Sequence, residues 1–230
     1  MLIFNFNKLI KCSVFIVFYS FSHLGFAGSY EDFFKAAQFD DSRTISSLLA
    51  RGFDPNTVNL NAEPALLYAL SEGSFKAFEV LAKHPKTNLN VRNKHSESAL
   101  MLASLRGNLP LAKLLIQGDA DINHPGWTAL HYASSGGHTE IMQLLLDKSA
   151  YIDAESPNGT TPLMMAARYG NSKAVQILID EGADVQLKNQ LGLSALDFAK
   201  QGNRLDSLAL IEAEINKLPN DKSAVPSAKP

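Results

Sequence analysis

The feature that most constrains this chain is a period of about 33 residues. Gly126–Asp153 (GWTALHYASSGGHTEIMQLLLDKSAYID) superimposes without a gap on Gly159–Gln186 (GTTPLMMAARYGNSKAVQILIDEGADVQ) at an offset of 33. Anchored on one apolar position, six copies run through Phe33, Leu66, Leu100, Leu130, Leu163 and Leu196, at intervals of 33, 34, 30, 33 and 33. An alanine follows three residues later in every copy: Ala36, Ala69, Ala103, Ala133, Ala166 and Ala199. Glycine stands at plus seven in four copies, as Gly73, Gly107, Gly137 and Gly170. Self-similarity at this period is the signature of a repeat architecture, in which no unit buries its own apolar face and neighbours must supply the cover.

Each copy reads as two short helices and a turn. Thr128, Thr161 and Ser194 are N-cap types whose hydroxyls can serve the unpaired first-turn N–H groups. Pro162 then stands where a missing donor costs nothing. The first helix presents small residues, so a neighbour can approach closely, and the plus-seven glycine is expected to end it in a left-handed conformation. The second helix carries a leucine-rich stripe: Leu114-Leu115, Leu144-Leu145-Leu146 and Ile177-Leu178-Ile179. The polar stretch between copies should fold back as a hairpin-like finger.

These motifs resemble the ankyrin repeat, whose pattern runs roughly G-x-T-P-L-H-x-A-A-x-x-G-H, an apolar stripe and G-A-D-x-N. GWTALH (Gly126–His131) and TTPL (Thr160–Leu163) match its front; GADVQ (Gly182–Gln186), DADIN (Asp119–Asn123) and GFDPN (Gly52–Asn56) match its back. The resemblance implies an all-α ankyrin-repeat solenoid over 28–218, with repeats at about 29–58, 59–92, 93–123, 124–156, 157–189 and 190–217. The departures are local. Pro64 replaces the threonine of repeat 2, Asp40 replaces the glycine of repeat 1, repeat 3 has a shortened connector, and Gly202 of repeat 6 comes one place early. Repeats 1 and 6 read as polar end caps, and the Pro/Ser/Lys-rich 219–230 as a disordered tail.

The start of the chain reads differently. Lys8 and Lys11 precede the uncharged run Cys12–Phe26, and Gly25 and Ala27 fit a cleavage after Ala27, so 1–27 is expected to be a secretory signal peptide. An uncleaved anchor over Leu9–Phe26 is the rival, although His23 and several serines thin it and a span wants about 20 apolar residues. Cleavage predicts a periplasmic or secreted product with no membrane span. It would also contain no cysteine, since Cys12 is the only one in the chain.

Composition excludes several functions. Lys and Arg number 21 against 23 Asp and Glu, without the basic excess of a nucleic-acid binder. H-E-x-x-H, G-x-S-x-G, P-loop and G-x-G-x-x-G motifs are missing. The expectation is therefore no enzyme, no metal and no cofactor. His131 occupies the motif histidine, for which the resemblance implies a structural inter-repeat hydrogen bond. The resemblance further implies a concave face of fingers and first helices that binds another protein. The positions the fold leaves free there include Lys94, Arg106, His124, Trp127, Arg168, Tyr169 and Leu193, and Trp, Tyr and Arg are the types that dominate binding hot spots. A monomer binding an unidentified protein is the leading expectation. A membrane-tethered adaptor and a secreted effector-like binder of a host protein are its alternatives.

Overall fold

The computed structural model describes residues 28–218; the expected signal segment and tail lie outside the described residues. Twelve helices occur among them: α1 over 28–38, α2 Ser42–Ala50, α3 Ala65–Ser71, α4 Phe75–Lys83, α5 Ala99–Leu105, α6 Leu109–Gln117, α7 Ala129–Gly136, α8 Thr139–Asp147, α9 Pro162–Arg168, α10 Ser172–Asp180, α11 Ala195–Gln201 and α12 Leu205–Lys217. The described residues contain no strands; isolated bridges pair Val58 with Pro64 and Lys188 with Ser194 at the bases of two fingers. Two compact units divide the chain after Ser96.

In the N-terminal unit, α4 packs against α2 and α3. Phe33 and Phe78 are fully buried, and the Phe33 ring lies 4.4 Å from that of Phe53. Asp40 holds the left-handed place of repeat 1 at φ 57°, which a short polar side chain tolerates. Its Oδ1 accepts from the N–H groups of Lys76 and Ala77, so it also caps α4.

The C-terminal unit is two parallel rows: α5 on α7 on α9 on α11, backed by α6 on α8 on α10 on α12. The small first-helix residues Ala103, Ala133, Ala166 and Ala199 are completely buried. Helix starts follow the expected capping. Ser98 and Thr161 hydroxyls accept from the third residue's N–H, whose methionine sulfur accepts in return, and Ser194 exchanges the same bonds with Asp197. In repeat 4 the third residue is His131. Its Nδ1 accepts from the Thr128 N–H at 3.2 Å, which leaves the proton on Nε2 to donate to Thr160 O at 2.9 Å in the next repeat. The inter-repeat bond expected for His131 is present. Burial, which disfavours the imidazolium, pushes its pKa down to about 4.

One glycine expectation needs correction. Gly73, Gly107 and Gly137 do adopt positive φ, but Gly170 does not. A Cβ on Gly170 would overlap Ser134 O, so this glycine is required by close backbone approach instead. In repeat 6 the left-handed place is filled by Asn203 at φ 53°, while the early Gly202 again meets a neighbouring backbone, Arg168 O at 2.5 Å. The turn between the helices carries a second set of links, one residue beyond plus seven. Ser74 donates to Gln38 O, the His138 imidazole bonds Leu105 O, Asn171 donates to Gly137 O, and Arg204 donates to Arg168 O and Tyr169 O.

Three stability outcomes follow from this packing. Gly170→Ala should destabilise by about 2 kcal/mol, opposite in sign to the usual gain from replacing a glycine at compatible φ; the midpoint of urea unfolding measures it. Ser104 and Ser134 have fully buried hydroxyls without a hydrogen-bond partner, at the register where repeat 5 has Ala167. Their replacement by alanine should raise stability by about 1 kcal/mol each. For His131 the folded pKa is depressed, so its contribution is complete above about pH 6.5 and is lost as pH falls toward 4. Wild type should therefore lose on the order of 2–3 kcal/mol more than His131→Gln between pH 7 and pH 4, read by denaturant titration at each pH.

Candidate partner-binding face

The described contacts sort the expected partner residues into two groups within the C-terminal unit. Trp127, half-buried, stands edge-on to the His131 ring at 5.2 Å and to Tyr132 at 6.5 Å. The Tyr132 hydroxyl donates to Glu97 Oε1 at 3.0 Å. The indole is thus fixed by its own repeat's first helix, with part of its ring left outside. Arg106 is exposed at the C-cap of α5, next to Leu105.

The second group is built at the end of α9. Arg168 lies in the last helical turn and Tyr169 is the C-cap, half exposed at 50%. The Arg168 guanidinium sits 5.1 Å from the centre of the Tyr169 ring, a cation–π distance, and its Nη1 donates to Gln201 Oε1 at 2.8 Å. Gln201 and the linking residue Arg204 were not among the residues singled out in the sequence for partner contact. Their signal was available, since both lie at the first-helix end one repeat after Arg168, but it required knowing which neighbour they meet.

The remaining expected residues are held less distinctively. His124 Nδ1 is 3.6 Å from Asp121 Oδ2. Leu193 is half-buried in a fingertip, where its N–H donates to Asn189 Oδ1 and its carbonyl accepts from the Asn189 N–H. Lys94 belongs to the N-terminal unit. There it is exposed on a cleft of about 800 Å³ lined also by Asn61, Glu63, Arg92 and His95.

No arrangement for acid–base chemistry emerges from the shifted groups. His131 is enclosed between two repeats with both ring nitrogens occupied. Burial and then the Asp184 carboxylate push the Asp153 carboxyl up against the opposing backbone bond from Asp184, and its two oxygens receive the Asp184 N–H at 3.2 Å. Among the described residues no group of three or more His, Cys, Asp or Glu could hold a metal. No described helix is long and apolar enough to cross a membrane.

Known proteins carry the same repeat. The family described as Ankyrin repeats (3 copies) matches residues 33–125, 77–158, 106–189 and 152–221. Ankyrin repeat and SAM domain-containing protein 6 of Mus musculus is 34% identical over 111 residues, 46% of this chain and 13% of that protein. The Notch-regulated ankyrin repeat-containing protein of Xenopus tropicalis is 36% identical over 89 residues, 36% of this chain and 78% of that protein. This chain therefore spans a small part of the first relative and most of the second. Among solved structures, an ankyrin repeat domain from Acinetobacter baumannii superimposes with a TM-score of 0.70 at 22% identity, covering 79% of this chain and 96% of the other. A chain from the complex of a predatory endopeptidase of Bdellovibrio bacteriovorus with an immunity protein gives 0.68 at 26% identity, covering 79% and 97%. Ankyrin repeats are in general protein–protein interaction modules. With its repeats matched from residue 33 to residue 221, this chain belongs to the ankyrin-repeat family.

Proposed function

We propose that this protein is a non-catalytic binder of another protein, acting as a monomer in an exported compartment, the periplasm or the cell exterior. Its partner contacts the first-helix ends and fingers of the C-terminal unit, principally Arg106, Trp127, Arg168 and Tyr169, with His124 and Leu193 at the finger side. The observation that carries this reading is the Arg168–Tyr169 pair. A half-exposed aromatic with a guanidinium stacked over it is a preformed anchor of the kind that dominates interface energetics. Trp127 supports it, because an indole already immobilised against His131 and Tyr132 gives up little conformational entropy on binding. Export rests on the uncharged run Cys12–Phe26 behind two lysines and on the small residues Gly25 and Ala27.

The likeness to a chain from an endopeptidase–immunity protein complex favours a second, narrower reading, in which the partner is itself an enzyme held by binding. Mass-spectrometric identification of the protein crosslinked in the native compartment decides between that class and others.

Trp127→Ala combined with Tyr169→Ala should abolish partner capture while shifting the melting temperature by only a few degrees; undiminished capture by the double variant would falsify the assignment of the face. Intact mass of the exported protein should correspond to a chain beginning at Gly28. A mass retaining 1–27 would establish the membrane-tethered alternative instead.

A further inference from the structure

The charges of the C-terminal unit are not evenly spread. Residues 97–218 contain nine Lys or Arg against fourteen Asp or Glu, yet all three arginines, Arg106, Arg168 and Arg204, stand at the ends of first helices or in the turn that follows. Most of the acids lie elsewhere. Asp119, Asp121, Asp147, Asp153, Glu155, Asp180, Glu181 and Asp184 occupy the ends of the second helices and the bases of the fingers.

The Arg204 guanidinium turns back onto the end of α9, while the Arg168 guanidinium reaches forward to α11. Arg204 donates from Nε to Arg168 O and from Nη2 to Tyr169 O, both at 3.3 Å, while Arg168 donates to Gln201 Oε1. All three acceptors are neutral. The only negative charge they supply is the partial charge on the last carbonyls of α9. No ion pair with a described carboxylate within 4 Å involves Arg168 or Arg204. The nearest acid in sequence, Asp206, sits in the first turn of α12, where it favours that helix's own N-terminus. These bonds use one N–H of Arg168 and two of Arg204, out of five on each guanidinium. Tyr169, half exposed beside the Arg168 guanidinium, supplies an apolar surface.

Two guanidiniums with donors to spare at the end of one helix, each fixed by neutral groups on an otherwise acidic unit, suit carboxylate acceptors. We propose that Arg168, Arg204 and Tyr169 receive a carboxylate-bearing segment of the partner protein: an acidic peptide stretch presenting Asp or Glu side chains to the arginines. This inference rests on the binding face described above and specifies the chemistry of its ligand.

The test uses the full exported chain and three labelled probes read by fluorescence anisotropy at low and physiological salt. The probes are a twelve-residue Asp/Glu peptide containing one Leu, the same peptide with Asn/Gln, and an oligodeoxynucleotide of equal charge. The acidic peptide should bind at least tenfold more tightly than the other two. Arg168→Gln/Arg204→Gln should lose at least tenfold, Arg168→Lys several-fold, and Lys113→Gln/Lys173→Gln, which removes two cations from second helices, less than twofold. If Arg204→Gln lowers the melting temperature, Arg168→Gln alone carries the comparison. Equal binding of the amide peptide or the oligonucleotide, no binding of the acidic peptide, or an equal loss in the lysine variant each overturns the proposal. Native-partner capture that survives Arg168→Gln/Arg204→Gln but not Trp127→Ala/Tyr169→Ala removes the carboxylate site and leaves the binding face intact. Loss of neither removes both.

Discussion

How closely α5, α7, α9 and α11 approach one another governs the rest of the C-terminal unit. At their C-terminal ends backbone meets backbone, with no room for a methyl group between Gly170 and Ser134 O or between Gly202 and Arg168 O. The completely buried alanines of each first helix make that distance possible. Once it is set, the polar groups on either side have no freedom of choice. The His131 ring must spend its one proton on Thr160, and the turn residues His138, Asn171 and Arg204 must reach back to carbonyls of the preceding repeat. A folded state built this way holds its register by hydrogen bonds that a slipped stack could not make.

The same closeness explains why the candidate face is preorganised. Arg168 is held by Gln201 of the next repeat, and Arg204 by carbonyls of the previous one, so side chains that would be long and mobile on an isolated helix are tied at both ends. Trp127 is likewise braced by the helix its own repeat contributes. Rigid anchors lose less entropy on association, and that saving is available to whichever partner matches them. The groups that position the repeats and the groups offered to a partner are thus neighbours in the same row, with the capping and histidine bonds underneath and the arginine and aromatic side chains on top.

Much of this was legible in the residues. The caps at Thr161 and Ser194, the inter-repeat bond of His131 and the left-handed glycines at 73, 107 and 137 all appear where the pattern places them. Gly170 departs from that pattern, and Gly202 shares the cause. A glycine that provides positive φ and a glycine that makes space for another chain segment look identical in sequence, and only the position of Ser134 or Arg168 distinguishes them. Asn203 takes the left-handed place of repeat 6, which a short polar side chain tolerates.

By itself the sequence determined the repeat, its register and the family, because each copy must carry its own caps, its own small-faced helix and its own leucine stripe, and those are local requirements written at fixed spacing. It also marked Arg168 and Tyr169 as residues the fold does not need. Only the tertiary structure decided that Trp127 and the Arg168–Tyr169 pair form separate groups, and that Arg204 stands against Arg168 with neutral acceptors rather than a carboxylate. Those facts depend on contacts about 33 residues apart, and the distance between side chains in adjacent repeats is fixed by how tightly the backbones pack, which no single copy of the motif encodes.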